Sequence, residues 1–229
     1  MPEVRVDALT GLRTLAPGDG DAGPDDLFTA TPDRIVHETV TGGPEAWRAA
    51  MREHADAACL HLTAADAGDG DLYALDFVPA AVARERERFR AYATRTMGSN
   101  LLGDLVQEEV RRRDRLVAID DEAVVLAPYA SRSPFQLLLA PRRPRARFQD
   151  EGPTGAALLA DALGRLGRVL GDDARIDLWV RTAPRGADAF CWRIDVVPRL
   201  APAGGLEPGT GLSVCPTAPE AAAAELRAA

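Results

Sequence analysis

The chain has 229 residues, 46% of them hydrophobic, and a net charge of −8, enough for one large domain or two small ones around a core that needs no disulfides. All 27 basic residues are arginine, which excludes a Schiff-base lysine and the lysine of a phosphate-binding loop, and the acidic balance argues against nucleic acid as a main partner. Three widely spaced cysteines (Cys59, Cys191, Cys215), no signal-peptide pattern and no apolar run long enough to span a bilayer predict a cytoplasmic protein without a membrane segment or an all-cysteine metal site.

In chain order, Glu3–Leu15 alternates on both sides of an Asp-Ala-Leu-Thr-Gly turn and predicts a hairpin. Pro17–Asp26 is rich in Gly, Asp and Pro and predicts a mobile loop. A strand at Arg34–Thr39 precedes a helix at Pro44–Asp56, with proline in its first turn and Trp47, Ala50 and Met51 on one face. Ala58–Thr63 and Leu72–Phe77 read as strands, Pro79 to about Thr94 and Leu101–Arg113 as helices. Arg115–Ile119, Ala123–Ala127 and Phe135–Pro141 form a strand run. Thr154 is expected to cap a helix reaching Gly171, with Leu158, Leu159, Ala162, Leu163, Leu166, Val169 and Leu170 apolar. Arg175–Thr182 and Phe190–Pro198 are expected to be antiparallel neighbours, and Ala218–Ala228 a terminal helix. Strands outnumber helices and follow one another as hairpins, so the predicted class is α+β, an antiparallel sheet with helices packed on it.

Four blocks resemble the galactose-1-phosphate uridylyltransferase family of the histidine-triad superfamily, in that family's order. MPEVRVDALTGLRTLAP is similar to its opening block and DFVPAAVARERERFRAY to the helix after its nucleophile strand. Ala118–Pro141, containing PYASRSPFQLLLAPRR, resembles the start of its second half. IDLWVRTAPRG, FCWRIDVVPRL and GLEPGTGLSVCPTAPEAAAAEL resemble its C-terminal portion. The resemblance implies two histidine-triad-like halves sharing a sheet, residues 1–98 forming a truncated first half and 99–229 the second, and a homodimer.

The family's functional positions are altered here. Its histidine nucleophile falls on Asp69, and a Cys-x-x-Cys zinc pair of many members falls on Asn100 and Gly103. A second metal site, a glutamate and three histidines, falls on Glu85, Arg181, Cys191 and Arg193. No cofactor or metal is therefore expected. Tyr129 and Arg132 in the PYASRSP block join Glu85, Arg181, Arg193 and Asp195 as candidate ligand-pocket residues, with Thr210 in the tail, whose family counterpart helps form the sugar-phosphate end of the pocket.

The residues support part of this on their own. Val82, Glu85, Phe89 and Tyr92 share one helical face, so Glu85 lies on an apolar stripe and needs a cationic partner. Asp177, Trp179 and Arg181 share one strand face; Cys191, Arg193 and Asp195 share another, opposite Phe190, Trp192, Ile194 and Val196. If the strands pair, Arg181 and Arg193 converge, and either or both can hold Glu85 in place of a metal; the alternative is that both arginines face solvent. Cys191 beside Arg193 is either a thiol nucleophile or a buried inert thiol. Asp69 is a candidate acyl-phosphate nucleophile, although a loop aspartate among glycines is poorly positioned for it. His37, His54 and His61 have no metal-ligand spacing. The acidic run Asp66–Asp71 and the basic runs Arg111–Arg113 and Pro141–Arg147 read as solvated charge.

Three functions fit. The first is a divergent family member that binds a nucleotide, sugar phosphate or related small molecule in a specialised biosynthetic pathway without histidine catalysis. The second is an active nucleotidylyltransferase or phosphorylase whose nucleophile has moved, to His61 or His37. The third is a non-catalytic structural or partner-binding protein.

Overall fold

The computed structural model describes residues 2–10, 12–17, 30–31, 33–171, 173–200 and 205–229. Strands β1 (Pro2–Val6) and β2 (Arg13–Pro17) form the predicted hairpin, and β3 (Ala30–Thr31) adds to β1 in a small sheet of order β2-β1-β3. Asp7 holds the turn, accepting from the Leu9 backbone N–H at 2.9 Å and the Thr10 hydroxyl at 2.6 Å. Residues 18–26 of the predicted loop lie outside the described residues.

The main body follows: β4 (Ile35–Val40), α1 (Gly43–Glu53), β5 (Cys59–Ala64), β6 (Gly70–Leu75), α2 (Ala80–Arg95), α3 (Leu101–Arg112), β7 (Leu116–Ile119), β8 (Ala123–Leu126), β9 (Leu137–Pro141), α4 (Ala156–Leu170), β10 (Ile176–Arg181), β11 (Arg193–Pro198), α5 (Leu206–Thr210) and α6 (Pro219–Ala228). Eight strands form one sheet of order β4-β6-β5-β10-β11-β9-β8-β7, paired antiparallel throughout. The class is α+β, as the hairpin succession predicts. β5 and β10 join the strands from before α2 to those from after α3.

The two faces of the sheet are covered differently. On one, Leu62, Leu72, Leu137, Leu178, Val180 and Ile194 meet Trp47 and Met51 of α1, Leu159 and Leu166 of α4, and Leu226 of α6 in the main core. Full burial of each such side chain is worth roughly 1.5–3 kcal/mol. On the other face, Phe89 of α2 and Leu102 and Val106 of α3 pack on Val124, Leu126, Leu138 and Ala140. β8 and β9 are therefore buried along their whole length, a continuous apolar run instead of an alternation.

Two local expectations are corrected. Gly155, at φ +71, is the N-cap of α4; Thr154 instead gives its hydroxyl to the Glu45 carboxylate at 2.5 Å. A Cβ at position 155 would lie 2.8 Å from the Leu139 side chain, so a glycine is needed both for its backbone and for this approach. The strand predicted from Phe190 starts only at Arg193. Its first residues turn, with Phe190 N–H donating to Ala187 at 3.1 Å, and the Ala189 and Phe190 carbonyls accept from the Asn100 side chain at 3.0 and 3.1 Å. The alternation therefore fails there: Phe190 and Cys191 both enter the α2–α3 cluster, while Trp192 enters the main core.

Candidate functional site

α2 and α3 cover the second face of the sheet over β8 and β9 and leave a cavity of about 410 Å³ beside β10 and β11. Each wall contributes by its own periodicity. Val82 and Phe89 bury one stripe of α2 and carry Glu85 inward with them. β10 and β11 pair with Arg181 directly opposite Arg193 and Trp179 opposite Asp195, so these side chains share a face.

At the centre, the Arg193 guanidinium donates to Glu85 and, at 3.0 and 3.2 Å, to both oxygens of Asp195. Asp195 is 5% exposed. Burial works against the charge on Arg193, but the fields of Asp195 and Glu85 outweigh it and its pKa is raised. Arg193 is thus a fixed cation held by two carboxylates. Arg181 is the looser partner: its Nε lies 3.5 Å from Glu85, within ion-pair range, yet is buried without a hydrogen-bond partner. Both arginines expected to approach Glu85 do so.

Arg88 and Arg132 complete the charge around the cavity. Arg88 lies one turn beyond Glu85 on α2. Arg132 lies over the Trp179 ring at 5.7 Å from its centroid. Neither has a carboxylate partner among the described residues. Four guanidiniums face two carboxylates here, leaving two positive charges in a chain whose net charge is −8. Such a cavity attracts anions.

Of the other candidates, Asp69 is exposed in the connection before β6 and Thr210 is exposed on α5. Thr210 spends its hydroxyl on the Leu206 carbonyl at 2.6 Å. Tyr129 is 76% exposed with Arg115 over its ring. None of the three lines the cavity. Cys191 is 1% exposed in the apolar cluster, and burial pushes its thiol up to about 11 despite Arg193, so it is a protonated thiol at neutral pH. Among the histidines, His37 meets Asp71 at 3.0 Å and stacks on Tyr73, and His54 meets Glu38 at 3.4 Å. His61 pairs across from Arg181, and burial, aided by that guanidinium, pushes it down to about 4.

The residues expected at metal positions do not suit a metal. Arg181 and Arg193 offer guanidiniums, which donate and cannot ligate, and Cys191 offers a protonated thiol. Asn100 spends its side chain on the Ala189 and Phe190 carbonyls and on Gly103 N–H. No cluster of three or more His, Cys, Asp or Glu able to hold a metal exists among the described residues. Sequence reasoning missed Arg88 and Gln136 as cavity residues. Arg88 was findable from its helical spacing to Glu85; Gln136 carries no such signal.

No family model matches the chain. A galactose-1-phosphate uridylyltransferase of Cryptococcus neoformans is 34% identical over 102 residues, 42% of this chain and 27% of that protein. Its counterpart in Schizosaccharomyces pombe is 36% identical over 70 residues, 31% of this chain and 19% of that protein. The matched stretch thus spans about a quarter of the curated relatives' length or less. A solved uridylyltransferase structure superposes with a TM-score of 0.82 at 18% identity, covering 99% of this chain and 97% of that one. An ADP-glucose phosphorylase from Arabidopsis thaliana with bound ADP-glucose superposes with a TM-score of 0.72 at 17% identity, covering 100% and 99%. No helix among the described residues is long and apolar enough to cross a membrane. The chain is thus similar in sequence, over part of its length, to galactose-1-phosphate uridylyltransferases, and it shares the fold of a solved uridylyltransferase.

Proposed function

We propose that this protein binds an anionic small molecule (a nucleotide, sugar phosphate or related compound) in the cavity between α2 and the β10–β11 pair, without covalent histidine catalysis. On this reading residues 1–98 and 99–229 are two histidine-triad-like halves, the first reduced, in a cytoplasmic homodimer serving a specialised biosynthetic pathway. The observation that carries the reading is the excess of guanidinium in the cavity, with Arg181 Nε buried and lacking an acceptor. An orphan donor of this kind is stabilised by an incoming oxygen. Family chemistry needs an imidazole that attacks phosphorus and leaves again; the resemblance sets Asp69 at that position, and Asp69 is exposed and outside the cavity.

The test is calorimetric titration with glucose 1-phosphate, UDP-glucose and ADP-glucose, repeated on Arg181→Gln. Saturable binding that the variant weakens tenfold or more supports the reading. Absence of binding by all three leaves the protein as a structural or partner-binding one.

A second reading, an active transferase with a relocated nucleophile, is favoured by one contact. Asp71 accepts from both His37 and the Thr39 hydroxyl, at 3.0 and 3.1 Å, and so orients a half-exposed imidazole. Mass spectrometry after incubation with labelled UDP-glucose separates the two: a nucleotidyl adduct on His37 or any other residue sinks the first reading.

A further inference from the structure

We infer that the ligand of this cavity is an amphipathic anion: an oxygen-rich acidic head at Arg181 with an apolar body laid across Trp179. The inference rests on the cavity being the ligand site and goes beyond it by naming what the ligand looks like.

A second hollow of about 550 Å³ adjoins the first, and Arg132 belongs to the walls of both. Apart from Arg132 and the Trp179 indole, the polar groups of this second hollow are taken up. The Arg199 guanidinium holds Asp177, the Ser213 hydroxyl donates to Glu207 at 2.7 Å, and the Ser133 hydroxyl donates to the Pro198 carbonyl at 2.6 Å. What remains open is carbon. Leu206, Leu212 and Val214 on its rim are 46%, 61% and 68% exposed, a run of uncovered apolar side chains facing a concave surface.

The junction between the hollows is different. Trp179 and Arg181 stand on the same face of β10, two residues apart. Trp179 Nε1 and Arg181 Nε are both buried with no hydrogen-bond partner. Arg132 lies over the indole and makes a flat cationic platform beside them. Two orphan donors on one face call for an acceptor-rich group spanning them, a phosphate or a carboxylate. Beyond that group the ligand meets hydrocarbon. A nucleobase placed there would meet Leu212, Val214 and Pro216 in place of hydrogen-bond partners, whereas an alkyl body needs none.

The tryptophans provide the readout. Trp47 and Trp192 are 0% and 1% exposed, and Trp179 is the part-exposed one, so fluorescence changes report on this junction. The full chain is titrated, by fluorescence and calorimetry, with methyl phosphate, octyl phosphate below its micelle concentration, octanoate and UMP. One of the two octyl anions is expected to bind at least about tenfold more tightly than methyl phosphate, about 1.4 kcal/mol; which of the two identifies the head group. Leu212→Asp, and independently Val214→Asp, should reduce that ligand to the level of methyl phosphate. Both positions are exposed, so folding is not at stake. Equal affinity for octyl and methyl phosphate overturns the apolar body while leaving the anion site standing. UMP binding more tightly than both octyl ligands overturns it in favour of a base. If none of the four binds, the amphipathic anion is overturned, while the underlying reading stands or falls by the titrations with glucose 1-phosphate, UDP-glucose and ADP-glucose.

Discussion

Replacing Arg193 with methionine tests whether the charged cluster is a buried interlocked unit or a solvated pair. Arg193, Glu85 and Asp195 have side chains 16%, 21% and 7% exposed. Removing the cation strands two carboxylates, and for a buried pair the loss of one partner costs about 3–5 kcal/mol. An exposed pair costs about 0.2–1 kcal/mol. Glu85 retains some access to water and can relax toward Arg181, so the lower end applies, about 3 kcal/mol. For a chain of this size each kcal/mol corresponds to roughly 2–4 °C in Tm, which gives a fall of roughly 6–12 °C by calorimetry and a matching shift in urea midpoint. Arg199→Met is the control. Its guanidinium also holds a carboxylate, that of Asp177, but is 62% exposed, and a change within about 0.5 kcal/mol is expected. A double-mutant cycle with Glu85→Gln should show coupling of about 2 kcal/mol or more. A loss under about 1 kcal/mol for Arg193→Met, with no coupling, would refute the argument and leave both arginines as surface charges.

His61 titrates about 4 in the fold against an ordinary 6.5. Between those values the unfolded chain binds the extra proton, so stability is full above about pH 6.5 and falls by roughly 2–3 kcal/mol as the pH drops to 4; His61→Gln should flatten that window, and a ring titrating near 6.5 by NMR would contradict it. Burial raises the Cys59 and Cys191 thiols to about 11, while Cys215 is part-exposed. One equivalent of a thiol reagent should therefore react with the native protein at pH 8 and three after denaturation; rapid native labelling of Cys191 counts against the inert-thiol assignment. Gly103→Ala should cost about 1–3 kcal/mol, because the new methyl would stand 2.4 Å from the Pro144 ring; an unchanged urea midpoint would show that this contact gives way freely.

Much of the site was readable one element at a time. Glu85 was legible because Val82 and Phe89 define a stripe at helical spacing and an acidic residue on it demands a partner. Arg181 and Arg193 were legible as inward-pointing once their strands were recognised as neighbours. The strand at Phe190 was over-read because its β-branched and aromatic composition does not reveal that Asn100, 89 and 90 residues away in sequence, takes up the carbonyls of Ala189 and Phe190. Thr154 was over-read as a cap because the nearby Glu45 carboxylate, supplied by α1, competes for its hydroxyl. Tyr129 and Thr210 were nominated by family position, and the structure turns both outward.

By itself, the sequence determined the class, the order of the elements and, for most of them, which face is apolar, and it contains no lysine. These are local properties, set by side-chain periodicity and residue identity. Only the tertiary structure decided that Arg193 hydrogen-bonds two carboxylates while Arg181 Nε hydrogen-bonds none, that Arg132 covers Trp179, and that a hollow rimmed by exposed apolar side chains adjoins the charged cavity. Those depend on register between strands distant in sequence and, for the first cavity, on where α2 and α3 stop covering the sheet. Periodicity shows which way a side chain points; only the packed fold shows what it meets there.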